Sequence, residues 1–187
     1  MFEILNQPAS VVAPRLLGCV LERNINGQVA KVRIVETEAY DQTDIASHSY
    51  KPKSLRTEVM FGQAGHLYVY FTYGMHFCCN VVVGPKGYGA AVLIRAVEPI
   101  SSERILQQNR PGQNNSNLTN GPAKLCQALQ IDKSLNGHNL KNQPLKLTIK
   151  PELPAENIVQ TTRIGISKGK EVPWRFYIRG NNFVSAS

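Results

Sequence analysis

The chain has no apolar run near the ~18 residues that a membrane-spanning helix needs. It has no low-complexity tract, and 42% hydrophobic with 18% charged residues is not the composition of a disordered chain. Its first eighteen residues lack the basic head and apolar centre of an export signal, because Glu3 and Pro8 interrupt them. The four cysteines, Cys19, Cys78, Cys79 and Cys126, contain no Cys-x-x-Cys, and the adjacent Cys78–Cys79 is a poor disulfide pair. Free thiols in a reducing compartment are expected. With only four histidines and no standard ligand spacing, neither a metal nor a cofactor is expected.

Acid is also scarce. Thirteen Asp and Glu stand against 21 Lys and Arg, a net charge of +8, and a basic surface attracts phosphate. From Ala46 to Arg95 the only acid is Glu58, whereas Glu36, Glu38, Asp41 and Asp44 cluster just upstream. One acidic spot therefore lies beside basic sequence. The length of 187 residues suits one domain, residues 1–187.

The pattern along the chain is mixed. A short helix is expected from Ala9 to a stop at Gly18. Strands at 19–22 and 29–36 meet through Asn26–Gly27, a strong hairpin signal. A polar loop follows, 40–55. Strands at 66–71 and 77–83 form a second hairpin that turns at Tyr73–Gly74. An apolar strand, 90–96, is broken only by Arg95, and Asn- and Gln-rich sequence fills 107–120. Helices are expected at 101–108 and 123–129, and late strands at 145–149, 163–167 and 175–178. This reads as a single α+β domain.

Three stretches carry chemistry. Phe61, Tyr68, Tyr70, Phe71, Tyr73 and Phe77 fall within 17 positions. Phe71 and Phe77 are expected in the core, while the hydroxyls of Tyr68 and Tyr70 need partners if buried. Tyr73, at a turn, is poorly placed for a core and well placed to wedge between bases. In Glu36-Thr37-Glu38, two carboxylates two apart on a strand point the same way. Either is a candidate general base, and an exposed acidic strand end is the plainer alternative. Arg95, inside an apolar strand, needs an acidic partner. His48 lies in the polar loop. Lys124 in a first helical turn opposes the helix dipole, but together with the helix N-terminus it suits an anion.

In order along the chain stand Arg15-Leu16-Leu17-Gly18, Ile34-Val35-Glu36-Thr37-Glu38-Ala39-Tyr40, Ala46-Ser47-His48-Ser49-Tyr50, Met60-Phe61-Gly62, the twelve residues Gly65 to His76, Ala91 to Pro99, Gly121 to Leu129 and Pro173-Trp174-Arg175-Phe176. From about Ala9 to Ser185 these blocks resemble the alkyladenine (3-methyladenine, or methylpurine) DNA glycosylase family. The resemblance implies an α+β domain with a curved antiparallel sheet, flanking helices and a protruding, DNA-intercalating β-hairpin. It implies a monofunctional enzyme that flips alkylated or deaminated purines out of duplex DNA and hydrolyses the N-glycosidic bond. By the same resemblance Glu38 is the general base and Arg95 helps hold the attacking water. Tyr40, His48 and Tyr70 sandwich the flipped base, Asn80 floors its pocket, and Tyr73 fills the gap in the duplex. Arg56, Lys124 and Arg175 are expected to contact phosphates.

The expected partner is double-stranded DNA with damaged purines, bound by a monomer with no membrane association. The compartment would be the cytoplasm, with the nucleoid, in a bacterium, and the nucleus or mitochondrion in a eukaryote. The rival readings are a damaged-DNA-binding protein without catalysis and a bifunctional glycosylase/lyase. Leu55-Arg56-Thr57 stands where many members have Pro-Arg-Asn.

Overall fold

The computed structural model describes residues 2–72, 74–101 and 103–185. A helix α1 (Ala9–Arg15) leads through Gly18, in the left-handed region at φ 82°, into β1 (Val20–Ile25). Asn26 and Gly27 have φ of 50° and 85°, the paired positive angles of a type I′ turn, and return the chain as β2 (Gln28–Tyr40). The second hairpin is β3 (Leu67–Thr72) against β4 (His76–Val82), and β5 is Ala91–Ser101. Helices α2 (Glu103–Asn109) and α3 (Pro122–Ala128) follow, then β6 (Leu145–Thr148), β7 (Ile158–Thr161) and β8 (Arg175–Ile178).

The strands make one sheet, wholly antiparallel, in the order β3-β4-β5-β2-β1-β6, with β8 also beside β2 and β7 beside β8. This is an α+β arrangement. Among the described residues no helix is long and apolar enough to cross a membrane. The main core gathers α1, α3 and the sheet around residues such as Leu16, Leu21, Ile34, Leu67, Ile94 and Leu125.

The long β2 organises the rest. Its first half pairs with β1, its second half (Glu36 to Glu38) pairs with β8, and β5 runs along the other edge. Every residue from Val35 to Ala39 is buried. Thr37 Oγ1 donates to Ala13 O at 2.8 Å, which ties α1 to this strand. The β2–β5 register runs Ile34–Val97, Glu36–Ala96, Thr37–Ile94. Val35 on one strand and Arg95 on the other are thereby left without cross-strand partners. Such bulges re-aim side chains and cluster near active sites. Here one of them carries Arg95.

Two sequence expectations are corrected. Residues 163–167 do not form a strand: Gly165 turns left-handed at φ 75°, and the Ile164 N–H donates to a carboxylate instead of a ladder. The strand that pairs with the other edge of β8, opposite β2, is β7, a few residues earlier. Phe71 is not core: it is 50% exposed, and its ring meets Phe77 at 5.0 Å beside the turn of the β3–β4 hairpin. The expectation for Tyr73 lies outside the described residues.

Candidate active site

Arg95 lines a cavity of about 460 Å³, a size usual for small-molecule sites, and meets Glu38 behind its wall. Glu38 is fully buried. Its Oε1 accepts from the Ile164 N–H at 2.8 Å and lies 3.3 Å from Arg95 Nη1; its Oε2 accepts from the Tyr40 hydroxyl at 2.8 Å. Those three partners, Tyr40, Arg95 and Ile164, all line the cavity, so the carboxylate sits directly behind its wall. Burial, then the neighbouring Glu38 charge, pushes the Tyr40 phenol well above its usual range, so it stays a donor at neutral pH.

Glu36 is fully buried too, two residues back. Its Oε1 accepts from Arg175 Nε at 2.6 Å, Ser185 Oγ at 2.8 Å and Arg95 Nε at 3.2 Å, and its Oε2 accepts from the Ser185 N–H at 2.7 Å. Arg95 thus has the acidic partner its apolar strand required, twice over. Of the two candidate bases, Glu36 is saturated by fixed donors, whereas one oxygen of Glu38 is held only by a rotatable hydroxyl.

The cavity walls are aromatic. His48 and Tyr70 meet edge to face, with ring centroids 4.6 Å apart, and therefore stand together as one wall. Tyr68 stacks on Tyr70 at 5.7 Å, and its hydroxyl lies 3.0 Å from His48 Nδ1. Loss of water around the imidazole, then the nearby Arg56 cation, pushes the His48 pKa down, so the ring is neutral at pH 7. Burial, then the contact with Cys78, raises the Tyr70 phenol far above its usual range. Cys78 lines the same cavity, and burial lifts its thiol to about 11, which keeps it uncharged.

Local sequence explains how His48 gets there. Ser47 caps the short 3-10 turn His48–Tyr50 by accepting from the Ser49 N–H, and Ser49 Oγ donates to Gly89 O at 2.6 Å. A Cβ at position 89 would fall 2.6 Å from Ser49 Cβ and 2.8 Å from the Phe61 ring, so only glycine lets this loop close. Asn80, on β4, lines the cavity and donates to Tyr68 O at 3.2 Å.

Sequence reasoning missed the far wall. Residues 164–168 line the cavity, and Arg163 fastens them. Its guanidinium is buried and paired through both terminal nitrogens with Asp44. It also donates to Ala39 O at 3.0 Å and to Gly169 O at 3.3 Å. It lies over the Tyr40 ring at 4.8 Å and the Trp174 ring at 5.5 Å. One cation so joins the end of β2, the loop leading to His48 and the 163–169 loop. The sequence signal was an arginine and an aspartate, each in polar sequence 119 residues apart, which no local pattern connects.

The expected phosphate contacts fare differently. Arg56 is exposed, its guanidinium 5.9 Å from the ring centroid of Tyr70, which lines the cavity. Lys124 is half-buried, its ammonium donating to Asn120 Oδ1 at 2.7 Å and Asn117 Oδ1 at 3.4 Å. Arg175 does not present a cation to the surface: it is 6% exposed and occupied by Glu36 and by Ser185 O at 3.2 Å.

The site is thus a buried acid–arginine pair behind the wall of an aromatic cavity, on a basic chain. The family model for methylpurine-DNA glycosylase matches residues 3–182. A protein of Carboxydothermus hydrogenoformans named "Putative 3-methyladenine DNA glycosylase" is 52% identical over 176 residues, 94% of this chain and 92% of the relative. Proteins of the same name from Methanoculleus marisnigri and Francisella tularensis are each 49% identical, over at least 92% of this chain and 91% of the relative. The chain belongs to the methylpurine-DNA glycosylase family.

Proposed function

We propose that this glycosylase extrudes alkylated and deaminated purines, among them 3-methyladenine, 7-methylguanine, hypoxanthine and ethenoadenine, from duplex DNA and hydrolyses their N-glycosidic bond to leave an abasic site. The observation that carries this reading is the carboxylate of Glu38, buried behind the cavity wall and bonded to three residues that line it.

A stacked base offers no access to C1′, so the nucleotide must leave the duplex. Tyr40 on one side, with His48 and Tyr70 on the other, stack on the flipped ring, each contact worth roughly 1–3 kcal/mol and tolerant of which purine it is. A cationic methylpurine gains further attraction to the tyrosine faces, and the neutral His48 does not repel it. Asn80 filters the 2-amino edge of normal guanine. Tyr73 occupies the vacated stack.

Glu38 then takes a proton from water as the water oxygen bonds to C1′ and the C1′–N bond electrons leave with the purine. Oε1 stays pinned by Ile164 and Arg95. Oε2 becomes the proton acceptor when the Tyr40 hydroxyl turns toward the water. Product analysis on duplexes carrying each lesion tests the reading. Free base plus intact abasic strand is expected, and Glu38→Gln should bind lesion DNA without releasing base. Lesion binding with no base release by the unmodified chain would favour the non-catalytic alternative.

One observation favours the lyase alternative: Lys168 is exposed and lines the cavity. Hydrolysis predicts no covalent adduct after borohydride treatment, and a trapped adduct lost in Lys168→Ala would establish the lyase instead.

A further inference from the structure

The catalytic arginine is held from the far end of the chain. After β8, Gly180 turns left-handed at φ 70°, and Asn181 bends the tail back: its Oδ1 accepts from the Phe183 N–H at 2.9 Å while its Nδ2 donates to Glu98 Oε2 at 2.9 Å. This delivers Ser185 into the charged floor, where it is 8% exposed. Its N–H and hydroxyl each donate to a different oxygen of Glu36, its carbonyl accepts from Arg175, and its Oγ lies 3.5 Å from Arg95 Nη2 as an acceptor.

We propose that Ser185 is a positioning residue for the glycosylase reaction, setting the plane of the Arg95 guanidinium and hence its aim at Glu38. The guanidinium has three edges and three restraints: Nε on Glu36, Nη1 on Glu38 and Nη2 on Ser185. Arg95 sits in a bulge of β5, so the ladder does not fix its side chain on both sides. Ser185 supplies that fixing twice, once on Nη2 directly and once through Glu36. It also gives Glu36 Oε2 its one hydrogen bond among the described residues. Ser185 does not line the cavity; it acts through Arg95.

Ser185→Ala keeps the backbone donor to Glu36 and removes only the hydroxyl. The expected result is a single-turnover excision rate lowered about tenfold, the scale of one lost hydrogen bond to a charged group, with the Kd for lesion duplex within twofold of the parent. Ser185→Thr, which restores the hydroxyl, should recover most of the rate. A merely structural serine would lower the folded fraction and the burst amplitude together, leaving the rate constant of the folded enzyme unchanged, and that result would overturn the proposal. Should Ser185→Ala not fold, Ser185→Cys keeps the size with a weaker hydrogen bond, and an unchanged rate constant in that variant overturns it equally. The inference rests on Glu38 and Arg95 acting as proposed above. Glu38→Gln is run alongside: if it excises normally, the mechanism itself fails, whereas an inactive Glu38→Gln with a full-rate Ser185→Ala removes Ser185 alone.

Discussion

Glu36 and Glu38 share a strand, a side of the sheet and a fully buried setting, and both touch Arg95. The donors around them differ in kind. Glu36 is bonded by two arginines and by both donors of Ser185, so its charge is neutralised and immobile. Glu38 has one fixed side, Ile164 and Arg95, and one side held by a phenol that can rotate. In the proposed mechanism, two equal carboxyl groups thus become a strut and a base through what surrounds them. A buried charge kept for structure must be fully paired, whereas one kept for proton transfer must retain an oxygen that can change partners.

Substitution separates the two. Glu36→Ala leaves Arg175 buried without a carboxylate and Arg95 with Glu38 alone, and the expected loss is about 3–5 kcal/mol of stability, read from urea denaturation. Activity should disappear with it. Glu38→Gln preserves shape and most hydrogen bonds, so its urea midpoint should move little while single-turnover excision falls by roughly 100-fold or more. If the two variants lost stability equally, the division between strut and base would be wrong. Tyr40→Phe sharpens the comparison. It removes the bond to Oε2 but keeps the ring, so lesion affinity should hold while the rate changes by about a factor of ten or less, the value of one charge-assisted hydrogen bond. A large loss of affinity instead would mean that the hydroxyl, and not the ring face, does the binding.

The hairpins, most helices, the central strands and the need of Arg95 for acid were legible because each is a short-range pattern. Asn26–Gly27 dictates its turn, and an arginine in an apolar strand demands a partner. What stayed hidden depends on register and on distant sequence. The bulge that turns Arg95 toward Glu38 is a one-residue slip between β2 and β5, invisible in either strand alone. Most of the far wall falls in 163–167, which reads as a strand because its apolar residues alternate; only the folded chain shows Ile164 giving its N–H to Glu38. The pairing of Arg163 with Asp44 and the return of Ser185 are equally non-local. Arg175 read as surface cation because charge is counted without knowing depth.

Arg56 contrasts with these buried, paired groups, since it faces solvent beside Tyr70. His48 titrates below the ordinary histidine range because of desolvation and then Arg56. The folded protein therefore holds its proton less tightly than the unfolded chain, so this contribution to stability is fully present above about pH 6.5 and is lost as pH falls below that through the lowered folded-state pKa. Histidine ring NMR should show the depressed titration in the parent. In Arg56→Ala, with the cation gone, the titration should move up and the acid-side loss should shrink; no movement would show that desolvation alone sets it.

The same variant gives the smallest effect. Arg56 is exposed beside Tyr70, and its cation is available to a phosphate of bound DNA. Losing one such contact should lower the slope of log K against log salt by about one, nearly equally for lesion and undamaged duplex. Arg175→Lys, by contrast, should leave that slope unchanged while costing stability, because its charge is spent on Glu36 inside the protein. A reversed outcome, with Arg175 moving the salt slope and Arg56 not, would mean that the tail bearing Ser185 lifts away when DNA binds and exposes the floor.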